Sequence, residues 1–197
     1  MQRWIKPVIL KGKVVNLEPM TLDHAIELGK VSNDGELWKL WYTGIPSPET
    51  AESYVKVAMK MFADKVAMPF IVRETKQGKI IGSTRFCNID EQNKRAEIGY
   101  TWYAKSYQRT SVNTECKLLL LTHAFEQLDS IAVEFRTHWH NLASRRAIER
   151  LGAKQDGVLR NHQKTSDGNY RDTVVFSIID HEWSTVKTSL THKLERN

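Results

Sequence analysis

The segment Tyr103-Ala104-Lys105-Ser106-Tyr107-Gln108-Arg109-Thr110-Ser111-Val112-Asn113-Thr114 gathers small polar and basic residues where a strand pattern gives way to a long helical one. The first turn of a helix carries unpaired N–H groups, and its dipole favours an anion. Such a junction can cradle phosphates with backbone alone, and Lys105 and Arg109 add charge. It is not a Walker loop, because GxxxxGK[ST] is absent and the segment contains no glycine. An ordinary helix start capped by Thr110, Ser111 or Asn113 accounts for the same residues.

A second junction follows at Asn141-Leu142-Ala143-Ser144-Arg145-Arg146, with Asn141 a natural cap and Ser144 in the same first turn. Both residues could simply satisfy orphan backbone donors. Alternatively, the Ser144 hydroxyl faces a ligand beside the first junction, since ligands gather at the C-terminal ends of strands in open α/β sheets. The strand Ala96-Glu97-Ile98-Gly99-Tyr100-Thr101-Trp102-Tyr103 supplies a carboxylate. Period two puts Glu97, Gly99, Thr101 and Tyr103 on one face and Ile98, Tyr100 and Trp102 on the other. Gly99 lets a ligand or backbone approach closely. A bland alternative pairs Glu97 with Arg95 or Arg85 near a sheet edge.

These junctions need elements to position them. Strand patterns cover Lys13 to Leu17, Pro69 to Glu74, Lys79 to Asn88, Ala96 to Tyr103 and Ile131 to His138. Gly157 to Thr165 and Tyr170 to Ile179 flank Ser166-Asp167-Gly168-Asn169, a hairpin signal. Helical patterns open at Thr21 or Asp23, run from Pro48 to Phe62 with Ser47 as cap, and cover Thr114 to Leu128. Asn141 to Leu151 closes on Gly152. Trp183, Val186, Leu190 and Leu194 form one stripe on a terminal helix, suited to a core or a dimer contact. The unit from Ala96 to Leu151 has a crossover helix and should pair two strands in parallel. The expected fold is α/β: a single domain over 1–197, with a mixed, mostly antiparallel sheet, a parallel central pair and flanking helices. Its core spans about 13–180 and its C-terminal helix about 181–195.

The order AEIGYTWYA, SYQRTSVNTECK, long helix, strand and NLASRRAIERLGA resembles the GNAT superfamily of acyl-CoA-dependent N-acetyltransferases. Within it the chain is similar to the Rim-type branch, which acetylates the N-termini of ribosomal proteins and includes many small-molecule acetylators. The likeness extends from about Lys13 to Ile179. It implies acetyl-CoA as co-substrate, no metal, and direct acyl transfer to a primary amine.

In that resemblance Glu97 takes the amine proton and Ser144 is the candidate acid for the departing thiolate. The backbone from Tyr100 through Thr101 to Trp102 stabilises the thioester oxygen. Gln108, Arg109, Thr110, Ser111, Val112 and Asn113 form the pyrophosphate loop, while Asn141 holds the pantetheine arm. Arg145 and Arg146 face the donor's phosphates. Trp38, Trp41, Tyr42 and Asn88 line the acceptor pocket. The family loop runs Gln/Arg-x-x-Gly-x-Gly/Ala; here Gln108 matches, but Ser111 and Asn113 replace the small residues. Ser111 keeps its N–H and adds a hydroxyl, and Asn113 tolerates left-handed geometry, so CoA binding is expected to be weaker or re-posed rather than lost. A non-catalytic acetyl-CoA binder or sensor is the alternative.

Composition bounds these readings. The chain has 197 residues, 41% of them hydrophobic and 26% charged, which argues against disorder. The formal net charge is +6, spread along the chain without a nucleic-acid motif. Cys87 and Cys116 show no metal-ligand spacing, and no His pair has HExxH spacing. Cys116, in a helix's first turn, is either a thiolate activated there or a packed residue. No apolar run approaches the ~20 residues of a membrane span, and no signal-type stretch opens the chain. A cytoplasmic monomer or homodimer is expected, meeting acetyl-CoA and an amine acceptor, with no membrane and no nucleic acid.

Overall fold

The computed structural model describes residues 3–165 and 168–196. Its strands are β1 (Leu10–Lys11), β2 (Val15–Pro19), β3 (Ala67–Glu74), β4 (Ile80–Asp90), β5 (Arg95–Tyr103), β6 (Ala132–His138), β7 (Lys154–Lys164) and β8 (Tyr170–Ile179). Its helices are α1 (Ala25–Ser32), α2 (Ala51–Ala63), α3 (Val112–Glu126), α4 (Leu142–Leu151) and α5 (Asp180–Glu195). The strands form one eight-stranded sheet in the order β1-β2-β3-β4-β5-β6-β8-β7. Every neighbour is antiparallel except β5 and β6, which the α3 crossover makes parallel, as the strand–helix–strand order requires.

Helices cover both faces of the sheet. On one, α3, α4 and α5 bury Cys116, Leu120, Ile148, Leu151, Trp183 and Leu190 against Phe86, Ile98, Phe135 and Phe176. On the other, α1 and α2 bury Leu28, Val55 and Ala58 against Ile71, Ile80 and Trp102. The stripe on α5 serves the core: Trp183 stacks on Phe125 with ring centroids 5.3 Å apart, and its Nε1 donates to Glu126 at 2.8 Å.

Several boundaries move from their expected positions for local reasons. The strand expected from Lys13 begins at Val15, because the buried Glu115 carboxylate takes the N–H groups of Lys13, Val14 and Val15. The helix expected at Thr21 opens as a 3-10 turn, Leu22–His24, before α1. In place of a helix from Pro48, Ser47 and Thr50 exchange backbone-to-side-chain bonds of 2.8 and 3.3 Å, and α2 begins at Ala51. Gly152 closes α4 at φ 104°, a left-handed conformation that glycine adopts without steric cost. Of the hairpin turn expected between β7 and β8, Ser166 and Asp167 lie outside the described residues.

The largest departure lies within β5. Gly99 pairs with Arg85 and Trp102 with Ser83, so Tyr100 and Thr101 together oppose Thr84, and Tyr100 sits at φ 51°. This bulge inverts the side-chain alternation. Ile98 and Tyr103 face the α3 core, whereas Trp102 faces α1 and α2. The strict period-two reading, which grouped Thr101 and Tyr103 with Glu97 and put Trp102 beside Ile98, fails beyond Gly99 for this reason.

Candidate active site

The β5–β6 ladder is short. Arg95, Ala96 and Glu97 pair with Ala132, Val133 and Glu134, and there the ladder stops. β6 continues on β8 as far as His138, while β5 bends away through its bulge. The two strands therefore splay toward their C-terminal ends, leaving a notch edged by backbone groups of β5. Both strand–helix junctions open onto that end of the sheet.

At the first junction, Tyr103 leads into a 3-10 turn, Lys105–Tyr107, which Asp34 staples to the end of α1. The Asp34 carboxylate accepts from Ser106 N–H at 3.1 Å and Oγ at 2.6 Å. Gln108 Nε2 donates to Tyr103 O at 3.3 Å, and Thr110 Oγ1 donates to Tyr107 O at 2.7 Å. Arg109 is left-handed, at φ 60°; Asn113 is helical and accepts from the Tyr103 hydroxyl at 3.3 Å. The left-handed tolerance expected to matter at Asn113 is thus used one turn earlier, by Arg109. Thr110 Oγ1 takes the Val112 N–H at 3.3 Å. The N–H groups of Ser111, Asn113 and Thr114 have no acceptor among the described residues, so the α3 N-terminus presents free donors and its dipole. This set fits a pyrophosphate.

At the second junction, Asn141 Oδ1 accepts from Ser144 N–H at 3.1 Å, which is the cap the sequence suggests. The Ser144 hydroxyl is half-buried and takes no part in that cap. Arg145 does not reach toward the first junction: it lies over Trp139, 4.4 Å from the ring centroid, and donates to Trp139 O at 3.3 Å. Arg146 is exposed. Arg150, one turn further on, reaches Thr114 Oγ1 at 3.5 Å and so links α4 to the first turn of α3.

Glu97 sits where the β5–β6 ladder ends, 7% exposed. Its Oε2 accepts from Asn88 Nδ2 at 2.7 Å and lies 3.5 Å from Arg136 Nε; Arg95 pairs with Glu134 instead. Burial pushes the Glu97 carboxyl above its usual range, against the pull of Asn88 and Arg136. A Cβ built on Gly99 would stand 3.0 Å from Glu97 Oε1 and from Cys87 Sγ, so what Gly99 admits is this carboxylate. The Cys116 thiol is fully buried, and burial pushes it up to about 12, which leaves no thiolate at neutral pH. Among the described residues, no group of three or more His, Cys, Asp or Glu side chains is placed to hold a metal.

Two of the three aromatic residues expected at the acceptor pocket meet the end of β6. Trp41 packs edge-on to His138 at 5.0 Å and to Tyr42 at 5.5 Å, and lies 5.6 Å from His140. Trp38, half-buried in the 3-10 turn Leu37–Lys39, shares no ring contact with them among the described residues. His138 and His140 were no more than neighbours of a tryptophan in the sequence. Only the end of β6 brings them to Trp41 and Tyr42, where burial and then Arg171 hold His138 below the usual imidazole range.

Residues 15–154 match the family model described as an acetyltransferase (GNAT) domain. The chain belongs to the GNAT acetyltransferases. Enzymes of this family use acetyl-CoA as co-substrate, in keeping with the free amides at α3. YdaF of Bacillus subtilis (strain 168), a ribosomal N-acetyltransferase by name, is 29% identical over 171 residues, 85% of this chain and 90% of the relative. A GCN5-related N-acetyltransferase from Brucella melitensis superposes with a TM-score of 0.85 at 28% identity, covering 95% of this chain and 86% of its own. Mycobacterium smegmatis RimJ, solved in complex with CoA-disulfide, shares the fold at a TM-score of 0.76 and 20% identity, covering 94% and 91%. The likeness to YdaF supports the Rim-type branch within the GNAT family. No helix among the described residues is long and apolar enough to cross a membrane.

Proposed function

We propose that this GNAT enzyme, acting as one domain, moves an acetyl group from acetyl-CoA to a primary amine, a protein N-terminus or a small molecule. The observation that carries this reading is the β5–β6 notch, with free α3 amides at its mouth and a buried carboxylate of raised pKa where the ladder ends. The amides of Ser111, Asn113 and Thr114 take the pyrophosphate. Gln108, Arg109, Thr110 and Val112 shape the loop, and Lys105, Arg146 and Arg150 add positive charge. Asn141 holds the pantetheine arm.

The amine must be neutral to attack, and an α-amine, with a pKa of about 8, needs less help than a lysine at about 10.4. Its nitrogen forms the new bond to the thioester carbonyl carbon, and the carbon–sulfur bond breaks. Glu97 takes the displaced proton, directly or through water, and its raised pKa brings it closer to the working pH of a general base. A backbone N–H of β5 at Tyr100, Thr101 or Trp102 donates to the oxygen that gains charge. The Ser144 hydroxyl hydrogen-bonds the departing sulfur. Trp41 and Tyr42, with Asn88 beside Glu97, wall the acceptor. Release of free thiol from acetyl-CoA, measured over a panel of peptides and amines, tests the reading. Tight acetyl-CoA binding with no thiol release for any amine would replace it with that of a binder or sensor.

A further inference from the structure

The β5 bulge is held from both faces of the sheet by a buried cation. On the α2 face, Arg85 is 1% exposed, with its guanidinium carbon 3.9 Å from the Tyr100 ring centroid and 4.9 Å from that of Tyr54. Its Nη1 donates to Met61 Sδ at 3.3 Å. The Tyr54 hydroxyl lies 2.9 Å from Ser83 Oγ and donates to Tyr100 O at 3.4 Å. On the α3 face, Lys117 is 5% exposed and donates from Nζ to Thr101 Oγ1 at 2.7 Å; that oxygen lies 2.7 Å from Thr84 Oγ1. Tyr100 and Thr101 are the two bulge residues, so each cation grips one of them.

Neither cation has a carboxylate within ion-pair distance among the described residues. The nearby carboxylates are committed elsewhere: Glu97 to Asn88 and Arg136, Glu134 to Arg95 and Arg136, and Glu115 to the backbone of Lys13, Val14 and Val15. Leaving a cation buried and unpaired is costly, and two such cations converge on one irregular turn of one strand. In the acetyl-transfer reading that turn carries the N–H groups that receive developing negative charge, where fixed positive charge in a dry environment counts most.

We propose that Arg85 and Lys117 are positioning residues for acyl transfer: they fix the β5 bulge from opposite faces and set a positive field behind the backbone N–H groups that receive the thioester oxygen. The inference rests on the acetyl-transfer reading above. Lys117 gives it a distinctive signature, because burial lowers its pKa to about 8. The titratable groups whose charge would act on it are Cys116 on its own helix and Cys87 on β4, and burial keeps both thiols neutral. The ammonium is therefore present below about pH 8 and lost as pH rises through it, whereas an arginine there would stay charged.

The test is kcat, at saturating acetyl-CoA and amine, from about pH 6.5 to about pH 9.5, read as thiol release. Lys117→Met is expected to lower kcat about 10- to 50-fold at neutral pH with KM for acetyl-CoA changed less than about threefold. Wild-type kcat should fall above about pH 8, and Lys117→Arg should retain activity without that fall. Arg85→Lys keeps the charge but loses the planar stacking, and should lower kcat about fivefold. Lys117→Met with kcat within about twofold of wild type, or Lys117→Arg with the wild-type alkaline fall, overturns the proposal. Should Lys117→Met not fold, the alkaline limb of Lys117→Arg decides. Arg85→Lys at wild-type kcat removes Arg85 from the proposal. A wild type that releases no thiol with any amine overturns the acetyl-transfer reading itself, a result distinct from wild-type turnover that Lys117→Met leaves unchanged.

Discussion

The two strand–helix junctions, β5 into α3 and β6 into α4, share a helix dipole and a place at the same end of the sheet, yet they offer a ligand different things. At α4, Asn141 Oδ1 accepts from Ser144 N–H, so the turn is capped and what remains available are side-chain groups, the Asn141 Nδ2 and the Ser144 hydroxyl. At α3, Thr110 covers only Val112 N–H, and the side chains otherwise tie the loop to itself and to the end of α1, leaving three backbone donors with no acceptor among the described residues. Local capping therefore decides whether a helix start binds an anion through its backbone or presents a side chain to chemistry. Glu97 stands between the two, at the end of the ladder from which they diverge.

If this division holds, changes at the three places should separate cleanly. Glu97→Gln has the largest expected effect: kcat/KM falls about 10²- to 10³-fold while acetyl-CoA affinity in calorimetry is unchanged. The wild-type acid limb should lie above that of an ordinary carboxylate, with activity lost as pH falls through the raised Glu97 pKa, and should be absent in the variant. Because the folded state disfavours ionised Glu97, that form lowers stability at neutral pH and the loss is relieved as pH falls. Glu97→Gln should therefore melt no lower than wild type at pH 7.

Next, Ser111→Asp puts a carboxylate among the α3 donors and should weaken acetyl-CoA binding about 30- to 100-fold in the same calorimetric titration. Ser144→Ala should leave that affinity intact and lower kcat about tenfold, reporting a bond made to the departing sulfur. An equal loss of CoA affinity in Ser144→Ala would erase the distinction between the junctions and return Ser144 to capping alone. Gly99→Ala should crowd the Glu97 carboxylate and lower kcat/KM about fivefold with little change in KM for acetyl-CoA. Asn141→Ala should cost about 1 kcal/mol in denaturant unfolding, the price of an N-cap, and lower Tm by about 2–4 °C.

The order of elements and the parallel pair were legible in the chain because hydrophobic period and chain connectivity are local or nearly local properties. The Asn141 cap was legible for the same reason, since cap and recipient lie within one turn. The faces of β5 were not. Alternation reads correctly up to Gly99 and then inverts, because the bulge is set by pairing with β4, a strand from another part of the sequence. Lys117 carried no signal, and Arg85, read as a possible partner of Glu97, packs on Tyr54 and Tyr100 instead, for a related reason. Nothing local marks a lysine on a helix or an arginine on a strand as buried, and only the packing of α2 and α3 on opposite faces of β5 buries them. Trp41 and Tyr42 belong to a ring cluster whose other half, His138 and His140, lies about a hundred residues away along the chain.

The sequence by itself determined the strand–helix order, the crossover that forces one parallel pair, the Asn141 cap at the start of α4 and a polar, basic turn leading into α3. Each follows from interactions within a turn or from the handedness of a connection. Tertiary structure decided where the short β5–β6 ladder ends, which way the residues after Gly99 face, and which charges lose their water. Those depend on partners far apart in the chain, and desolvation is a property of the packed whole that no residue carries alone.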